Sequence, residues 1–79
     1  MDIKDNLFIA SKAGKGFSII TAYITKIQDG YIATSCGSIF TQEKLSGKSV
    51  WCNTVPWLTE YAFITMQDAQ KFVSVRTEV

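Results

Sequence analysis

The chain has no histidine, one proline and two cysteines among its 79 residues. Without histidine, neither a Ser-His nor a Cys-His nucleophile pair can be assembled. Cys36 and Cys52, far apart in sequence, are a poor ligand set for a metal. Long apolar runs are missing as well, and nothing approaches the roughly 18 residues that cross a bilayer. The opening Met1-Asp2-Ile3-Lys4-Asp5 is polar at once and unlike a leader, so the expectation is a cytoplasmic protein, with no membrane partner and reduced thiols. Whether the two cysteines could bridge depends on their lying on adjacent strands, which their positions leave open.

A dominant charge is also lacking. Eight basic side chains face seven acidic ones, for a net charge of +1. That balance exerts no global pull toward nucleic acid or an anionic membrane. Residues 6–28 nevertheless carry Lys12, Lys15 and Lys26 and no carboxylate. The seven carboxylates are scattered singly, and Glu43 and Glu60 are the only two readily imagined as a pair. Gly47-Lys48-Ser49 resembles the tail of a phosphate loop, but Gln42 stands where the first glycine is needed and a strand follows. Gly14-Lys15-Gly16 lacks a third glycine and also leads into a strand, so it is no dinucleotide fingerprint. The expectation is a non-enzyme that uses no cofactor and no metal.

What the chain does have is apolar and aromatic material: 47% hydrophobic residues, including two Trp, three Tyr and five Phe. That is enough for a core in a single domain spanning 1–79. The organising stretch is Phe17 to Cys36, two β-rich runs joined through Gln28-Asp29-Gly30, where Asp-Gly signals a hairpin. Along the first run, Ile20, Ala22 and Ile24 lie on one face before it turns polar at Lys26 and Gln28. Phe17, Ile19, Tyr23 and Ile27 lie on the other. Two partly apolar faces suit a curved strand of a small barrel. Asn6 to Ala10 reads as a strand before it. Gly37 reads as a bulge or sharp bend, with Ser38-Ile39-Phe40-Thr41 carrying the strand onward. Leu45-Ser46-Gly47-Lys48 is a turn, Ser49 to Cys52 a short strand, and Pro56 a break.

Glu60 to Ile64 reads as a last strand, with Thr65 capping a helix through about Val73. Asp68 suits its first turn, and Ala69, Phe72 and Val73 share one face. A rival reading is one long helix from Pro56 across residues 57–73. The fold expected is α+β and mostly β: a small bent antiparallel sheet or SH3-like barrel of about five strands with one short C-terminal helix.

Two stretches, Glu60 to Ala69 and Ile24 to Gly30, resemble small phage-encoded accessory proteins in which an SH3-like sheet closes with a strand and a short helix. The resemblance spans about half the chain and transfers no functional residue. It implies a class: compact proteins that act by docking on a host macromolecule. The residues themselves point to a non-enzymatic binding module with a protein partner. Trp57, Val55 and Pro56 are its first contact candidates, since an exposed Trp is a favoured anchor; Trp57 capping an open barrel end is the competing reading. The Lys12–Gly16 loop is second. The alternative is a nucleic-acid-binding barrel using Lys12, Lys15, Lys26 and a tyrosine such as Tyr31. A third reading is a homo-oligomer that binds a small ligand between protomers.

Overall fold

The computed structural model describes residues 2–13, 16–45, 47–55 and 58–77, with only the backbone of Ala13, Leu45, Lys48, Thr54, Val55, Arg76 and Thr77. Six strands, β1 (Asn6–Ala13), β2 (Gly16–Gln28), β3 (Tyr31–Thr34), β4 (Ile39–Leu45), β5 (Lys48–Val55) and β6 (Leu58–Phe63), precede one helix, α1 (Met66–Thr77). Each strand pairs antiparallel with the next, and β6 pairs antiparallel with β1, closing the sheet into a barrel. Strands joined by hairpins alternate in direction, so only an even number lets the first and last pair this way. The mostly-β barrel with one C-terminal helix is what forms, with six strands rather than about five. The extra strand comes from Gly37, where the run expected to carry on past a bend is divided into β3 and β4, two antiparallel strands. The long helix from Pro56 is excluded, because β6 occupies its first half.

Register explains the sizes of the inward residues. Leu7 stands opposite Ala22 on β2, and Ile9 lies between Ala62 on β6 and Ile20 on β2, so each large inward side chain of β1 has a small one on one side. A six-stranded barrel is narrow and its interior must be filled by side chains alone. Leu7, Ile9, Ile24, Ile32 and Phe40 are its fully buried large residues, with Trp51 packed against them. Each such burial is worth about 1.5–3 kcal/mol.

The mixed apolar pattern of β2 has two causes. Its register shifts between Ile24, opposite Thr34, and Lys26, opposite Ala33, which leaves Thr25 as the extra residue of a bulge. The inward positions therefore pass from even to odd, so Ile27 stands opposite the buried Ile32 at the exposed rim of the inner face while Lys26 and Gln28 turn outward. The other cause is α1, which lies outside the barrel over β1, β2 and β6. Phe72 stacks on Tyr61 (centroids 4.6 Å apart), Phe63 (5.1 Å) and, edge-on, Phe17 (5.8 Å). Ala10 and Ala69 are fully buried in this second, external core. The Thr65 hydroxyl accepts the Asp68 N–H at 3.1 Å, so the cap forms where expected.

Gly37 is not a bulge. Its φ of 89° turns the chain back on itself, with Gly37 N–H donating to Thr34 O and Thr34 N–H to Ser38 O, both at 3.0 Å. The run from Ser38 therefore returns along β3 as β4 instead of extending it. The Asp29-Gly30 hairpin forms, with Gly30 at φ 87°.

Phe72 is the one side chain that ties α1 to three aromatic neighbours at once. Phe72→Ala is expected to cost about 2–3 kcal/mol, below the full range for a buried ring because Phe72 is only half-buried. Urea unfolding measures the loss, and hydrogen exchange should show α1 amides losing protection before those of the barrel interior.

Candidate functional site

The β1–β2, β3–β4 and β5–β6 connections fall at one end of the alternating strands. At this end the inner face changes character from one row to the next. Ile20, Ile9, Ala62 and Trp51 form an apolar row across β2, β1, β6 and β5; the next row up is Ser18, Ser11, Glu60 and Asn53. Glu60 is only 3% exposed. Its Oε1 accepts from the Ser38 hydroxyl at 2.7 Å and from Asn53 Nδ2 at 2.9 Å. A carboxylate removed from water needs such donors. Glu43, by contrast, faces out of β4 and is exposed, so the only two carboxylates readily imagined as a pair point to opposite sides of the sheet.

Cys36 joins the same network. Its Sγ lies 3.1 Å from the Thr34 hydroxyl and 3.6 Å from the Ser38 hydroxyl. Partial burial pushes the Cys36 thiol up, but the Thr34 hydroxyl, the Ser38 N–H and the Ser38 hydroxyl together pull harder, and against a smaller push from Glu60 the thiol settles below its ordinary 9.0. The Thr34 hydroxyl also reaches the Ser38 carbonyl at 3.0 Å. It can swing to the sulfur when the thiol ionises, since that carbonyl keeps the Thr34 N–H. Cys36 is exposed, Cys52 is half-buried, and the two form no disulfide.

The outer face at this end carries a pocket of about 380 Å³ lined by Lys12, Phe17, Thr59 and Tyr61. Phe17, Lys12 and Thr59 are one row of the outer face, since Lys12 stands opposite both of the others. Tyr61 is two positions along β6 on the same face. Lys12 is exposed, whereas the two rings and Thr59 are half-buried. Both rings rest against Phe72, so α1 fixes one wall.

Of the residues singled out from sequence, Lys12 lines this pocket, and the backbone of Val55 ends β5 at the same end of the barrel. Lys15, Pro56 and Trp57 lie outside the described residues. Lys26 and Tyr31 come together elsewhere, on the outer face of β2 and β3, where Tyr31 Oη donates to Gln28 Oε1. Phe17 and Lys26 stand near opposite ends of the 13-residue β2, about 30 Å of strand path apart. Lys12 and Lys26 therefore share no groove. Sequence reasoning missed Thr59 and Tyr61 as site residues, and weighed Glu60 only as a possible partner of Glu43. The alternation of Glu60 with Ala62 was the available sign that a carboxylate faced inward. Among the described residues no group of three or more His, Cys, Asp or Glu could hold a metal ion, and no helix is long and apolar enough to cross a membrane.

Compared with protein-family models, with curated proteins and with solved structures, the chain finds no match.

Two outcomes follow from the network. Iodoacetamide should modify Cys36 before Cys52, with a pH midpoint below 9.0 that Thr34→Val moves upward; mass spectrometry of timed samples reads both. The unfolded chain keeps the Cys36 proton to higher pH, so the associated stability is complete above 9.0 and is lost as pH falls through the folded value. Ser38→Ala removes a donor from a buried carboxylate and should cost about 1–3 kcal/mol in urea unfolding, whereas Ser18→Ala, at an exposed position of the same row, should cost far less.

Proposed function

We propose that this chain is a non-enzymatic binding module of the cytoplasm that docks stoichiometrically on a protein partner and alters what that partner does. The observation that carries the reading is the pocket formed by Lys12, Phe17, Thr59 and Tyr61. It combines half-buried rings, one exposed cation and a hydroxyl, which is a recognition surface and not a set of acid, base and nucleophile. The hairpin ends that flank residues 14–15 and 56–57 sit beside it, since Ala13 pairs with Gly16 and Val55 with Leu58 on neighbouring hairpins. The resemblance to small accessory proteins implies the same class of role.

The nucleic-acid reading is the weaker one on the same geometry. Binding a phosphate chain calls for several cations along one track with stacking rings between them. Lys12 and Lys26 lie near opposite ends of the first hairpin, and the net charge is +1.

The test is affinity capture of the tagged protein from its native lysate after nuclease treatment, run in parallel with Thr59→Arg, which fills the pocket. A protein retained by the wild type in fixed ratio and lost with Thr59→Arg, at an unchanged urea midpoint, is expected. Equal retention by both, or recovery of nucleic acid alone in untreated lysate, overturns the proposal.

A further inference from the structure

We infer that the Lys12 pocket reads a carboxylate presented beside an apolar side chain, that is, an acidic residue next to an aromatic or aliphatic one on the partner protein. This rests on the docking reading and adds the chemistry of the contact.

Lys12 supplies the charge. Its neighbours in the row, Phe17 and Thr59, are uncharged, and no carboxylate occurs anywhere in residues 6–28. A lysine is a point charge on a flexible stem, suited to one anionic group at the edge of a surface. A phosphate group carries close to two negative charges and three strong acceptor oxygens, and calls for several cationic donors. A single lysine beside one hydroxyl fits a carboxylate better. Phe17 and Tyr61 supply the apolar contact, and both are already held against Phe72 at 5.8 and 4.6 Å. Rings fixed before the partner arrives lose little freedom on binding. The volume of about 380 Å³ admits one or two side chains, at the small end of ligand pockets, and is far too short for an oligonucleotide track.

The experiment is an amide-resolved NMR titration of the intact protein and of Lys12→Gln. The probes are two blocked tetrapeptides, acetyl-Gly-Phe-Glu-Gly-amide and its Gln counterpart, and a decathymidylate. The expected result is shifts at Lys12, Phe17, Thr59 and Tyr61, with the Glu peptide bound about fivefold more tightly than the Gln peptide at low ionic strength. That preference should vanish in Lys12→Gln and shrink at high salt. Equal affinity for the two peptides, shifts confined to other residues, or no shifts up to about 10 mM peptide overturns the inference. So does tighter binding of decathymidylate at the same amides. The two readings fail separately. A partner captured in the lysate but no Glu preference removes the carboxylate chemistry and leaves docking standing. A Glu preference with no protein captured removes docking and leaves the pocket's chemistry in place.

Discussion

The structure depends on five backbone pairings between its first and last strands, from Phe8 opposite Phe63 to Lys12 opposite Thr59. Remove them and the six strands become an open sheet with two unpaired edges, each a template for association. With them in place the ring has no edge, and its interior is fixed in width. That width is why Ala22 and Ala62 stand against Leu7 and Ile9, and why one Phe40 can fill what remains. The same closure brings Thr59 beside Lys12, so the candidate site is a product of the step that completes the fold.

Three strands carry cover from α1 on part of their outer face, and the others do not. β1, β2 and β6 give Leu7, Ile9, Ala22, Ile24 and Ala62 to the interior, and Ala10, Phe17, Tyr61 and Phe63 to the helix outside. β3 and β4 have no such cover, and Ile39 is 53% exposed on their outer face. The pocket lies where these regimes meet, on rings that α1 holds but does not enclose. At the same end the interior turns from apolar to polar within one row, and the buried Glu60 is held by Ser38 from the 34–38 turn and Asn53 from β5. A carboxylate there adds little to stability compared with an apolar residue of similar volume. Its effect is to tie the 34–38 turn to β5 and β6.

Local chemistry was legible in the residues, and long-range pairing was not. Asp29-Gly30 demands a positive φ that glycine supplies, and Thr65 with Asp68 three positions on is a cap wherever a helix follows. Both formed as read. Gly37 and Thr25 show the limit: a glycine among β-formers suggests a bulge or a sharp bend, and which of them forms depends on the strand that lies alongside, while the bulge itself falls at Thr25, which nothing local marks. The two-faced pattern of β2 pointed to a barrel, yet its causes, a bulge and an external helix, involve partners that the strand's own residues do not name. The hairpin places Lys12 beside Phe17, a local fact. Thr59 and Tyr61 reach the same pocket from the far end of the chain, which no periodicity within either segment reveals.

Closure between the chain's ends also dictates an order of events during synthesis. β1 leaves the ribosome first, pairs with β2 at once, and then keeps one edge open until β6 has been made. Through that interval Leu7 and Ile9 have no opposite wall, and each new strand adds a fresh edge of its own. Contacts so distant in sequence also form slowly. The nascent protein thus stays exposed to wrong association until β6 has emerged and can pair with β1, and a message truncated before β6 leaves an open sheet with unpaired edges and not a smaller barrel.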